Sequence, residues 1–271
     1  MFFESFDGTR LAYEDYGEGE PIVFVAGVML DADMWEYQIP YFAERGYRCI
    51  AFDRRGHGRS DRPSTGYDLD SFADDLAALL RHTGVEGATL VGHSLGSVEV
   101  AHYLARHAEQ RVARAALVST MLPCLIRSDD NPEGVPAEAV AAAAARFRAD
   151  RPKALADQAQ AFFATHLNPQ VSPAMIDWMM GLCLRPSPWA VLKAQEVVRT
   201  ADLRDTLPKI TVPTLVVHGA ADFSAPIDVT GRRTARLIPG CDYVEYPTAG
   251  HGVFASHHPQ LNADLLAFLT S

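Results

Sequence analysis

Short apolar runs of strand length alternate along this chain with longer segments whose apolar positions recur at helical spacing. Residues 2–6 and 10–16 are extended runs around Asp7-Gly8, a pair suited to a type I′ turn, and they predict an opening β-hairpin. The runs Pro21 to Val25, Tyr47 to Phe52, Ala88 to Val91 and Val112 to Ser119 follow, with helices expected over about 34–45, 69–82 and 95–108. In the second helix Phe72, Leu76, Leu79 and Leu80 share one face. Regular alternation of strand and helix predicts a mostly parallel central sheet with helices on both faces.

The pattern changes after Ser119. Residues 122–205 hold no strand-like run and several helical stretches, broken by prolines at 132, 136, 152, 169, 173, 186 and 188. They predict a helical cap inserted into one domain spanning 1–271. The cap carries Phe162, Phe163, Met175, Ile176, Trp178, Met179, Met180, Leu182 and Leu184, which pack it onto the body or line an apolar pocket. Alternation resumes with a strand from Thr214 to His218, a helix near 227–237, a strand near 242–246 and a final helix near 258–269.

Composition narrows the partners. About half the residues are apolar (48%) and the net charge is -10, so a core forms readily and a polyanionic partner such as nucleic acid is disfavoured. Arg54-Arg55 and Arg232-Arg233 stand beside acidic neighbours and read as solvated surface charge. The start lacks the basic and apolar stretches of a secretory leader, and no stretch is apolar enough to span a membrane. Cys49, Cys124, Cys183 and Cys241 are too scattered for a zinc or redox motif, so a reduced, cytoplasmic chain is expected. The methionine- and tryptophan-rich cap suits a pocket wall or a subunit interface equally, which leaves a homo-oligomer open.

Candidate chemistry centres on Gly92-His93-Ser94-Leu95-Gly96, placed between a strand and a helix. Such a turn is so sharp that side chains at 92 and 96 would strike backbone, while the serine hydroxyl projects at a helix N-terminus. A serine needs a base and a group to orient that base. Asp222 follows the strand ending at His218, and His251 follows the next strand in Gly250-His251-Gly252, so both stand where open α/β sheets place ligand-handling groups. Of the ten histidines, His82, His102 and His107 fall on helices, His57 precedes Ser94, His93 is expected to point elsewhere on the turn, and His257 and His258 begin the last helix. Asp228 rivals Asp222 but fits a helix start. Oxyanion donors are expected from the backbone of Leu95 and of Val28, with Met29 as the alternative register.

The chain resembles the α/β-hydrolase group of bacterial aryl esterases and cofactor-free haloperoxidases, also called perhydrolases. The likeness rests on Leu30 to Gln38, Ala51 to Asp61, Val212 to Gly219, Ala249 to Gly252 and Asn262 to Leu269. It implies the α/β-hydrolase fold, Ser94, Asp222 and His251 as catalytic triad, Val28 and Leu95 as oxyanion donors, and neither metal nor haem. Relatives commonly carry His-Gly and an aromatic residue where this chain has Ala26-Gly27-Val28, which implies a wider acyl side here. Met29, Met121, Trp178, Phe223 and Val253 are expected to face a small apolar or aromatic substrate.

The expected activity is hydrolysis of a carboxylic ester or lactone through an acyl-enzyme, with perhydrolysis as a side reaction. The alternatives are non-hydrolytic use of the same triad, as in a lyase, C–C cleavage or acyl transfer, and a ligand-binding sensor.

Overall fold

The computed structural model describes residues 1–107 and 111–271. Among these, eight strands form one sheet: β1 (Phe2–Glu4), β2 (Arg10–Tyr16), β3 (Pro21–Val25), β4 (Arg48–Phe52), β5 (Ala88–His93), β6 (Val112–Val118), β7 (Thr214–Gly219) and β8 (Asp242–Tyr246). Their order is β1-β2-β4-β3-β5-β6-β7-β8. The β1/β2 and β2/β4 pairings are antiparallel and the others parallel. The helices are α1 (Ile39–Ala43), α2 (Leu69–Thr83), α3 (Leu95–Arg106), α4 (Ala137–Ala149), α5 (Arg151–Phe163), α6 (Pro173–Leu184), α7 (Pro188–Thr200), α8 (Gly231–Leu237), α9 (Val253–Ser256) and α10 (His258–Leu269).

Side-chain alternation along each strand divides the core in two. In β3, Val23 and Val25 join Phe72, Leu76 and Val98 of α2 and α3, while Ile22 and Phe24 face Trp35, Phe42, Leu261 and Leu265 on the other side. Burying each of these large side chains contributes about 1.5–3 kcal/mol. Helix α2 starts where the Asp68 carboxylate accepts the Ser71 N–H at 2.8 Å, and ends at Gly84, whose φ of +63° suits a residue without Cβ.

Helices α4 to α7 form the cap. Its two ends meet at a bridge between Cys124 and Asp202, beside the Leu203 N–H that donates to the Pro123 carbonyl at 2.9 Å.

Four sequence expectations change. The opening hairpin turns through Ser5 to Thr9, with Gly8 N–H donating to Ser5 and Gly8 alone at positive φ, so it is not a two-residue type I′ turn. The helix expected at 34–45 divides into a 3-10 turn, Ala32–Trp35, and α1. The helix expected from 227 begins at Gly231. Helix α3 ends at Arg106, and Ala108 lies outside the described residues.

A larger correction concerns Arg54 and Arg55. Neither is solvated: both are buried, Arg54 against Glu99 and Arg55 against Asp75, whose carboxylate accepts two bonds at 2.7 Å. Arg232 does stand at the surface, paired with Asp228 and Glu245.

Candidate active site

Ser94 occupies the junction of β5 and α3 with φ +54° and ψ −116°, a backbone state that costs of order 1–3 kcal/mol and needs its surroundings to enforce it. They do so through the Ser94 N–H, which donates to Val118 of β6 at 3.0 Å. A Cβ on Gly92 would lie 2.5 Å from the Gly96 carbonyl oxygen, and one on Gly96 would lie 2.1 Å from that of Val25. Both obstacles are backbone and cannot swing aside, hence glycine. Leu95 opens α3, so its N–H has no acceptor within the helix and points with the positive end of the dipole.

His251 stands in the loop between β8 and α9. Its Nδ1–H donates to Asp222 Oδ2 at 2.7 Å, and Asp222 Oδ1 accepts the Ala225 N–H at 2.8 Å. A carboxylate only accepts, so the bond fixes the proton on Nδ1 and leaves Nε2 able to take one. The rival Asp228 is 78% exposed and bonded to Arg232 at 2.6 Å. His218 lies 3.4 Å from the same Asp222 oxygen; burial holds its pKa below the usual histidine value.

His93 does not point away from the site. Its ring is 4.8 Å from that of His251, and its Nε2–H donates to the His251 carbonyl at 3.0 Å. Burial, with the nearby His251 second, drives its pKa well below the normal range. The ring is therefore a neutral prop beneath the histidine loop.

The loop after β3 is held from below. Arg54 donates to the carbonyls of Ala26 at 2.6 Å and Gly27 at 3.2 Å, while its Nε binds Glu99 on α3. Leu30 N–H closes a turn onto the Gly27 carbonyl at 3.3 Å, and Met29 sits at φ +67°. Val28 and Met29, between those two residues, line the cavity beside Ser94. A Cβ on Gly27 would stand 2.7 Å from His93 Nδ1 and 3.4 Å from Ser94 Cβ.

Ser94 and His251 line one cavity of about 180 Å³, walled by Val28, Met29 and Met121 and by cap residues including Phe162, Phe163, Ile176, Met179, Met180 and Cys183. Trp178, Phe223 and Val253 lie elsewhere. Trp178 packs edge-on against Tyr37 with ring centroids 6.2 Å apart, Phe223 is 78% exposed, and Val253 is sealed in the core beside the sheet. Ser224 lines the cavity in place of its neighbour Phe223.

The cap is bonded directly to the histidine loop. Gly252 N–H donates to the Phe162 carbonyl at 2.9 Å, and Asn168 Nδ2 donates to Thr248 at 2.7 Å and to Phe163 at 2.9 Å. A Cβ on Gly250 would lie 2.6 Å from the Phe162 carbonyl oxygen, which explains one glycine beside His251.

Among the described residues no cluster of His, Cys, Asp or Glu is arranged to hold a metal ion, and no helix is long and apolar enough to cross a membrane. The profile of the α/β hydrolase fold family matches residues 20–257. A non-heme chloroperoxidase of Streptomyces lividans is 40% identical over 98% of both chains, and a bifunctional esterase/perhydrolase of Acinetobacter calcoaceticus is 35% identical over 98% of both. The solved esterase EaEST of Exiguobacterium antarcticum superposes with a TM-score of 0.95 at 31% identity, covering 100% of this chain and 99% of that one. The chain belongs to the α/β hydrolase fold family.

Proposed function

We propose that this hydrolase cleaves carboxylic esters or lactones through an acyl-enzyme on Ser94. His251 Nε2 takes the Ser94 proton as Oγ bonds to the substrate carbonyl carbon, and the resulting oxyanion accepts from the N–H groups of Leu95 and Val28. The carbon–oxygen bond to the leaving group then breaks, and His251 passes its proton to the departing oxygen. Water, deprotonated by the same histidine, attacks the acyl-enzyme and releases the acid. Asp222 keeps the tautomer and stabilises the imidazolium.

The observation that supports this reading is the 2.7 Å bond from His251 to Asp222 in a cavity that Ser94 shares. The names of the relatives favour a second outcome from the same intermediate: hydrogen peroxide in place of water releases a peracid and needs no further group. The four cysteines are free thiols, three of them buried, which suits the cytoplasm we assign it to.

A fluorophosphonate tests the assignment. One adduct is expected on wild type, on Ser94, and none on Ser94→Ala; activated short esters are hydrolysed only by wild type. An adduct on another serine overturns the assignment. An adduct on Ser94 without turnover of esters or lactones replaces hydrolysis with the non-hydrolytic or sensor alternative.

A further inference from the structure

Ser94 stands at the junction of two lobes, and His251 lines only one of them. The first is the apolar chamber between α5 and α6, where His251 and Ser224 form part of the wall. The second, also of about 180 Å³, shares Val28, Met29, Ser94, Met121, Leu155 and Gln158 with the first and runs beneath α4 and α7. Resting on the ester-hydrolase reading, this asymmetry assigns the arms of the substrate. The leaving oxygen receives its proton from His251, so the alcohol arm has to lie on the His251 side. The acyl arm is left with the second lobe.

That lobe is apolar near Ser94, with Leu125, Phe147 and Val198 in its wall, and polar at Gln158, Gln195 and Arg199. Arg199 is the one charged side chain among its described lining residues. It also lines an outer pocket with Ile126, Ala137 and Val140, so it stands between the lobe and the surface. Its present partner is Glu196, three residues earlier on α7; the arginine is 33% exposed and the glutamate 51%. An exposed pair of that kind contributes about 0–1 kcal/mol and yields readily to a better-held carboxylate. A basic residue in the last turn of a helix is ordinarily explained by the dipole alone. That explanation does not account for an arginine lining an otherwise uncharged lobe that opens onto Ser94.

We propose that the acyl arm occupies this second lobe and that Arg199 selects an acyl group ending in a carboxylate, so the preferred substrates are half-esters of dicarboxylic acids. Guanidinium binds carboxylate through paired, charge-assisted hydrogen bonds.

The test uses 4-nitrophenyl half-esters of dicarboxylic acids from succinate to suberate, each beside its neutral methyl-capped counterpart of equal length. At one chain length wild type is expected to favour the anionic ester in kcat/KM by about tenfold, the worth of a charge-assisted hydrogen bond at a partly exposed site. Arg199→Gln brings that ratio to near one, and Arg199→Lys keeps part of it. Glu196→Gln raises the ratio, a gain that misfolding cannot produce. A wild-type ratio near one at every length, or an unchanged ratio in Arg199→Gln, overturns the proposal while leaving ester hydrolysis intact. Failure of wild type to hydrolyse any of these esters, neutral ones included, overturns the ester-hydrolase reading beneath it.

Discussion

Arg54 donates to the Ala26 carbonyl at 2.6 Å from a buried position, and so clamps the loop that faces Ser94. It also binds Glu99, which sits on the helix that Ser94 begins, so one guanidinium ties the loop after β3 to α3. Removing Arg54 alone strands a buried carboxylate and is expected to cost about 3–5 kcal/mol. Burial already pushes the Glu99 pKa up, with Arg54 opposing it, so the stranded acid gains a proton. The double variant Arg54→Met/Glu99→Leu is expected to recover most of that stability, since apolar replacements of a buried pair are often neutral. Its rate of labelling by a fluorophosphonate is still expected to fall about tenfold or more, because the clamp on Ala26 and Gly27 is gone. Wild-type labelling in the double variant would reduce Arg54 to a purely structural residue.

Gly27 tests how tightly the loop is packed onto Ser94. Its missing Cβ leaves 2.7 Å to His93 Nδ1, and His93 is sealed between the loop and the His251 carbonyl. Gly27→Ala must therefore displace His93, and with it the His251 backbone. Overpacking costs typically about 1–3 kcal/mol. The larger expected effect is on kcat, about a hundredfold, with KM little changed, since a shift near 1 Å in catalytic geometry costs that much. Steady-state kinetics with equal losses in kcat and in binding would contradict this.

Most of the frame was legible in the sequence because period-two and helical patterns are local, and the glycines around Ser94 and His251 mark backbone contacts that only one residue type permits. The reading failed where partners lie far apart in the chain. Arg54 and Arg55 look like surface charge until Glu99 and Asp75 are brought to them from α3 and α2. Trp178 has no place that the sequence can assign, because α6 is apolar on nearly every side and offers no face to choose. The structure turns Ile176, Met179, Met180 and Cys183 inward, one face at helical spacing, and sends Trp178 to Tyr37. Phe223, expected at the pocket, and Ser224, which lines it, differ by one residue of register in a loop, which no periodicity determines.

Asp31 makes the stability of the folded chain depend on pH. Its carboxylate accepts from Arg185, which follows α6, at 2.8 Å, in a group that also includes Asp33, Asp53 and Arg59. Burial first, and Asp53 second, raise its pKa from 3.8 to about 6. The folded state therefore holds this proton up to about pH 6, whereas the unfolded chain releases it near pH 4. Between those values the folded state binds more protons, so this contribution to stability grows as pH falls. Relative to Asp31→Asn, wild type is expected to gain about 2 kcal/mol from pH 7 to pH 4, measured by urea unfolding. Parallel profiles for the two proteins would show that Asp31 does not carry the shift.

Val28 belongs to the wall of both lobes, so its size sets the width at the point where the acyl arm leaves Ser94. Val28→Trp fills that point without touching Arg199 at the far end. Acetyl esters, which end before the constriction, are expected to keep most of their kcat/KM. Hexanoyl esters are expected to fall by about tenfold to a hundredfold, since excluding the first methylene beyond the constriction is worth about 1–3 kcal/mol in a tight pocket. The variant thus changes tolerance for length, whereas Arg199→Gln changes preference for charge. If the acyl arm lay instead in the chamber beside His251, Arg199→Gln would leave the preference for charge untouched even where Val28→Trp shortened the accepted acyl chain. Measured together on the same ester series, the two variants separate the direction of the acyl arm from the width of its path.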